Sequence, residues 1–458
     1  MTPRGTRALA LAAAIGLLSA AGPAMAQEKI TVWWGKGFYK SEDDALLATI
    51  KKFEAKTGIK VELSQYAIQD MIPKTVAALD SGTVPDVAYS DTYDVQAAGK
   101  WAFEGKLEDL SDILNPIKSA FAPNTIETAF LYNDQTKKKG YYGFPLKQQS
   151  MHVQIWKDML EKAGFKESDI PTKWEDYWSF WCDKVQPASR KATGQRIYGI
   201  GQPMGVESTD SLQSFYTFMD AYNIHLVDDD GKLTIDDKAR DGLIHALKDY
   251  TDTYIKGCTP PSSTTWKDPD NNVAFHNKTT VMTHNFTISI AAKWFEDSTN
   301  PALTEEQRAA GKKAYEEDII TASFPHKPDG GVIKYRSDVK TGVIFTAAKN
   351  KAKGKAFVAF LLQEENLGPY VEGALGRWFP ATLEGQKSPF WQADRHRRAV
   401  YTQFMGGTTP FDFVKNYKFT ILNNENAWAK AMNRVVSEKV PVEQAVDELI
   451  ARIKQVAG

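Results

Sequence analysis

The chain has 458 residues, with 56 Lys and Arg set against 57 Asp and Glu, for a formal charge of −1. A balance this even gives no footing for nucleic acid or anionic lipid as a partner. Aromatic residues make up 12% of the chain and include 12 Trp, enough to supply both a core and rings at a cleft.

The first 26 residues read as a removable leader. Arg4 and Arg7 form a basic start, Ala8 to Ala21 is almost wholly apolar, and Ala24-Met25-Ala26 has the small-x-small form of a cleavage site. The apolar run falls short of the roughly 20 residues that span a bilayer. Gln27 rather than Cys follows the cleavage site, so no acceptor for a lipid tether is present, and the mature chain is expected free in a periplasm. About 430 residues then remain, too many for one core and enough for two domains of roughly 200. Cys182 and Cys258 are the only cysteines, and export places them where disulfides persist. Sequence leaves both readings open, one bridge or two buried thiols.

The predicted elements begin with a β-rich run at Lys29 to Trp34, which stops at Gly35-Lys36-Gly37. A helix follows over Glu42 to Lys56, with acids in its first turn and lysines in its last. Next come a strand at Ile59 to Leu63, a helix at Ile72 to Leu79 and a strand at Asp86 to Tyr89. This alternation predicts a parallel sheet with right-handed crossovers, whose post-strand loops gather at one edge. Tyr141 to Pro145 reads as a strand ending in a chain reversal, and helices are predicted near Lys157 to Ala163, Trp174 to Lys184 and Lys238 to Lys256. Ala302 to Ala314 reads as a solvated helix, Val281 to Phe286 as a strand entering a helix, and Lys351 to Leu362 and Pro441 to Val456 as helices.

Several local patterns, taken in order, resemble the extracellular solute-binding proteins of family 1, the maltodextrin-binding type that serves ATP-driven importers. They are Phe53 to Val61, Ala77 to Val87, Gly143 to Pro145 with Trp156 to Gly164 and Pro171 to Asp176, Ala274 to Met282, Phe379-Pro380 and Val442 to Val446. Thr299 to Tyr315 stands outside the pattern. The resemblance implies an α/β, two-lobed periplasmic binding protein fold of type II, each lobe a mostly parallel sheet flanked by helices and joined by a multi-strand hinge. It implies a first lobe of residues 27–143 plus about 341–385 and a second of about 144–340 plus 386–458. The crossings are expected near Gly143 to Leu146, Gly331 to Lys340 and Gly385. The implied function is capture of a sugar or oligosaccharide by a monomer, hinge closure, and delivery to the importer's membrane permease subunits.

A sugar offers hydroxyls and an apolar C–H face, so its cleft needs planar rings beside carboxylates, amides and a few cations. The loops that meet this need carry Trp34, Lys36 and Tyr39 after the first strand, with Trp34 outward and Trp33 in the core by strand alternation. Asp91 follows the third strand, where helix capping is the alternative role. Gln148 and Gln149 sit at the first crossing, where simple surface exposure competes. Gln202, Trp266, Asn285 and Phe286 represent the second lobe, Trp266 being in a Pro/Ser/Thr-rich loop that makes a buried role hard to arrange. Arg377 and Trp378 precede a proline turn that the resemblance aims at the cleft, and Glu425 is a further pocket candidate by the same resemblance. No HExxH, GxSxG, Walker loop or GxGxxG occurs, so neither an enzyme nor a cofactor or metal site is expected. The alternatives are the same fold around a glycerophosphodiester, a polyamine or a metal complex, and a secreted adhesion protein, which the absence of repeats disfavours.

Overall fold

The computed structural model describes residues 28–458; the leader and its cleavage site lie outside the described residues. Strands β1 (Lys29–Gly35), β2 (Lys60–Tyr66) and β3 (Val87–Tyr89) alternate with helices Lys40–Thr57 and Ile68–Ser81. Each helix stops where a glycine takes the left-handed conformation, Gly58 at φ 74° and Gly82 at φ 68°. β4 (Phe130–Asn133) and β5 (Lys138–Tyr141) form a hairpin, so the strand expected at Tyr141 to Pro145 is two elements, the second being β6 (Phe144–Gln149). β7 (His152–Trp156), β8 (Tyr198–Gly201), β9 (Thr280–Asn285) and β10 (Ile319–Ala322) follow, then β11 (Asp338–Val343) and β12 (Phe379–Pro380).

Two sheets result, ordered β12-β6-β11-β3-β1-β2 and β10-β7-β9-β8. In the first, β1 pairs parallel with β2 and β3, while β11 and β12 pair antiparallel with their neighbours. The second is parallel only between β8 and β9. The sheets are therefore mixed rather than mostly parallel as expected: β1 with β2 and β3, and β8 with β9, are joined through helices and pair parallel, and every other ladder of the two sheets is antiparallel.

Three segments join the lobes. Ser150 and Met151 link β6 to β7, Tyr335 to Ser337 lead into β11, and Thr409 runs beside Arg336. The Ser337 N–H donates to the Thr409 carbonyl at 2.9 Å, and the Thr409 N–H to the Tyr335 carbonyl at 2.9 Å. The first crossing therefore falls after Gln149 rather than near Gly143. The return falls near Thr409 rather than Gly385, because Trp391, Val400 and Phe404 still pack in the first-lobe core.

That core lies between the sheet and helices Lys40–Thr57 and Lys351–Leu361, with a smaller one around Met71, Tyr93 and Trp101 on the other face. The second lobe has its own core around Trp156, Trp181, Phe215 and Trp428. Most of the aromatic surplus is spent there. Cys182 and Cys258, both in the second lobe, are bridged, with Cα atoms 5.1 Å apart. Among the described residues no helix is long and apolar enough to cross a membrane.

Candidate ligand-binding cleft

A cavity of about 1130 Å³ lies between the lobes. Its floor is built from the loops that end β1 and β3 and from the segment before β12. Glu42, in the first turn of helix Lys40–Thr57 and only 3% exposed, organises that floor. One carboxylate oxygen accepts from the Trp378 indole N–H at 2.9 Å and the Lys147 ammonium at 2.7 Å. The other accepts from Arg377 at 3.3 Å and from the Phe38 N–H at 3.3 Å. Gly37 permits this wrap, since a Cβ there would stand 3.0 Å from the Glu42 side chain.

Arg377 also pairs with Asp91 at 3.0 Å and lies against the rings of Phe38 and Trp378, each 4.2 Å from its guanidinium carbon. Burial opposes charge on Glu42, but Lys147 and then Arg377 outweigh it and hold the carboxyl below the usual range. For Asp91 the order is burial, then Arg377 and Lys147, with the same outcome. The floor is therefore ionised and internally neutralised.

The facing wall differs. Asn285 donates to Asn272 at 2.6 Å and to the Ser289 hydroxyl at 3.0 Å, and Asn272 donates to Ser289 at 3.0 Å. Beside this amide cluster, Asp268 accepts from the hydroxyls of Ser208 and Thr209 at 2.8 Å each. Asp210 is reached by the Asn271 amide at 3.1 Å, and burial followed by repulsion from Asp268 raises its carboxyl well above the ordinary range. At the hinge end, Gln149, Gln213 and Lys340 all donate to Asp338, at 2.9, 2.7 and 2.5 Å. The lobes touch on both flanks: the Tyr39 hydroxyl donates to the Ser289 carbonyl, and Tyr417 stacks on Phe103 with centroids 4.3 Å apart.

Two α/β lobes, three connecting segments and a polar cleft between them are the frame against which the chain was compared with known proteins. The family model described as bacterial extracellular solute-binding protein matches residues 48–399. The chain belongs to that family. No curated protein matches it in sequence. Among solved structures, an ABC transporter solute-binding protein from Thermotoga lettingae TMO, bound with α-D-tagatose, is similar at a TM-score of 0.75 and 20% identity, covering 94% of this chain and 100% of that one. Maltose-bound MalE3 of T. maritima is similar at a TM-score of 0.70 and 19% identity, covering 93% and 99%. The GacH receptor of Streptomyces glaucescens, solved unliganded and with acarbose, is similar at 0.70 and 16%, covering 94% and 98%.

Within this solute-binding protein, six residues singled out from sequence line one cavity: Lys36, Asp91, Gln149, Asn285, Arg377 and Trp378. Three others stand behind it. Trp34 is 1% exposed and donates to the Tyr370 hydroxyl at 3.0 Å, while Trp33 is the partly exposed member of the pair, the reverse of the expected alternation. Both faces of this sheet are covered, so alternation does not sort core from surface. Tyr39 spans to the other lobe, and Gln148 is buried at the hinge, donating to the Pro380 carbonyl at 2.8 Å.

The remaining four lie away from the cavity, a correction of the sequence reading. Gln202 is buried and donates to the Tyr250 carbonyl at 2.5 Å. Trp266 is only 6% exposed, its N–H held by Ser262 at 3.1 Å, so the loop does bury it. Phe286, next after Asn285, turns by strand alternation into the core against Phe411. Glu425 sits on a helix surface, gripped by Arg452 at 2.8 Å through both oxygens. Sequence reasoning missed Phe38, Asp210, Gln213, Asp268 and the helix Ile68–Ser81, all of which line the cavity. Asp210 lies in the first turn of helix Thr209–Ala221, where an acid reads as ordinary helix-start charge, and Gln213 is a polar residue among Leu212, Phe215 and Tyr216 in the same buried helix.

Proposed function

We propose that this chain is the periplasmic receptor of an ATP-driven importer, capturing a sugar or oligosaccharide between its lobes and handing it to the membrane permease subunits. The observation that carries the reading is the floor. Phe38, 39% exposed, is a planar ring open to a sugar's C–H face, Trp378 is packed behind it at 1% exposed, and Arg377 and Asp91 stand beside them as oriented hydrogen-bonding groups. Across the cleft, Asn285, Ser289 and Asp210 supply the amide, hydroxyl and carboxyl partners that hydroxyl groups need. The similar structures bound with tagatose, maltose or acarbose support the same class. A ligand that touches both walls only when the lobes approach shifts the population toward the closed form. The leader read at residues 1–26 supports export to the periplasm, unlipidated and, by family resemblance, as a monomer.

A second reading has one observation in its favour. Asp210 and Asp268 face the cavity without a cationic partner among the described residues, an arrangement suited to a cationic solute such as a polyamine. A thermal-shift screen of purified mature protein separates the two. A tight ligand at a hundredfold excess over Kd adds about 2.7 kcal/mol of stability. Shifts with mono- or oligosaccharides are expected; shifts with polyamines or phosphodiesters and none with any carbohydrate would overturn the sugar assignment.

A further inference from the structure

A helix on a covered sheet needs one apolar face, and helix Ile68–Ser81 has two. Met71, Thr75 and Ala78 turn inward and are buried. Ile68, Ile72 and Val76, one turn apart from each other and so on a single stripe, turn toward the cavity with Pro73 and Ala77 beside them. Val76 is 43% exposed there. The stripe runs from Ile68 to Asp80, about 18 Å at 1.5 Å per residue. Exposure rises along it, Ile68 and Ile72 being half-buried and Val76 exposed.

The second lobe contributes Glu207, Lys267, Asp268 and Asp270 to the lining of the same cavity. Lys267 is paired with Glu207 at 2.8 Å, which leaves Asp268 and Asp270 as the uncompensated charges. Among the lining residues the aromatic rings are Phe38 and Trp378. The cavity thus has an inner polar chamber, around the buried Trp378, Gln149, Asp210 and Lys340, and a more exposed part lined by the aliphatic helix on one lobe and by carboxylates on the other. A free sugar leaves the aliphatic side unused, since hydroxyls along it would lose water without gaining partners.

We infer that the solute is a glycoside carrying an apolar aglycone, its sugar in the inner chamber and its aglycone along Ile68, Ile72 and Val76. The inference rests on the sugar-binding reading above and narrows its substrate class. The acidic side makes the aglycone neutral or cationic and excludes a carboxylate or phosphate at its end. Ile72 shares its packing with the small first-lobe core, whereas Val76 is 43% exposed at the cavity, where the cleft is what it meets.

The test is calorimetric titration of the mature protein with methyl, butyl, hexyl and octyl glycosides of glucose, galactose and mannose, below micellar concentration, with octylammonium and octanoate as headless controls. For at least one sugar head, affinity is expected to rise about twofold per methylene, half the free energy of full burial because only one wall is apolar. Val76→Gln, on an exposed face where folding is not at stake, is expected to lower the octyl-to-methyl affinity ratio at least fivefold. Binding of a methyl glycoside with no gain from chain length would overturn this inference and leave the sugar reading intact. Octylammonium binding as tightly as the octyl glycosides would overturn the sugar head, and the glycoside proposal with it. An unchanged ratio in Val76→Gln would overturn the placement of the aglycone.

Discussion

The two walls of the cleft solve the same problem in opposite ways. On the first lobe, the charges of the floor are paired with one another: Glu42 and Asp91 face Lys147 and Arg377, and the pairs are buried together. On the second lobe, amides and hydroxyls stand beside carboxylates, and the carboxyl of Asp210 is held by an amide rather than a cation. The first wall is rigid because breaking any pair strands a buried charge. The second is adaptable, because amides and hydroxyls donate and accept in several directions. A rigid floor with an adaptable lid suits a receptor that positions its ligand on one lobe before the other closes.

The contrast extends to titration. All seven histidines fall between His152 and His396, and the segments that build the first sheet contain none. Burial holds His152 and His276 down to about 4 and His284 to about 3, and His396 likewise to about 4. Such groups stay neutral in the fold while the unfolded chain takes up protons below 6.5. Their contribution is present above that pH and is lost as pH falls toward 4. The largest expected effect is therefore acid destabilisation seated chiefly in the second lobe, with His396 of the first lobe bonded across to Thr321 and Tyr315, on the order of several kcal/mol between pH 6.5 and 4.5. A melting temperature that stays flat over this range would break the comparison, and His284→Asn is expected to reduce the slope.

Glu42→Ala tests the rigid wall. It leaves Lys147 and Arg377 short of their shared partner and is expected to cost about 3–5 kcal/mol in chemical denaturation. Glu42→Gln, which keeps an acceptor for Trp378, is expected to cost less while still weakening ligand affinity, because Arg377 loses an ion partner. Equal losses for both variants would show that charge is not what organises the floor.

The disulfide sharpens the comparison from the other side. Cys182 and Cys258 stand 76 positions apart in the second lobe and neither lines the cleft. Replacing both with Ser is expected to lower stability by about 2–4 kcal/mol with ligand affinity unchanged. A drop in affinity would mean that the second wall is tensioned by its own scaffold. The smallest of these effects is local: Trp378→Ala is expected to weaken the identified ligand by about 2 kcal/mol, roughly thirtyfold, measured by titration calorimetry. Unchanged affinity would remove Trp378 from the site.

Sequence alone determined the opening run of strands and helices and several of the later helices. The caps at Gly58 and Gly82, the βαβ alternation through Tyr89 and the helix Lys351–Leu361 are local signals, set by backbone sterics and hydrophobic period, and they needed no partner. The rule that post-strand loops meet at a sheet edge singled out Asp91, and the family resemblance singled out Asn285 and Arg377; all three line the cavity. Other features depended on contacts between residues far apart in the chain. Trp34 and Trp33 exchanged roles because helices cover both sheet faces, Trp266 was buried by a loop closing over it, and Phe286 and Asn285 parted by one step of strand alternation. The third crossing moved from Gly385 to Thr409 because Trp391, Val400 and Phe404 found a core in the first lobe. Whether Glu42 was a helix-start acid or the hub of the floor was decided only when Arg377, more than 300 residues away, folded against it, since a buried charge is defined by the partner that meets it.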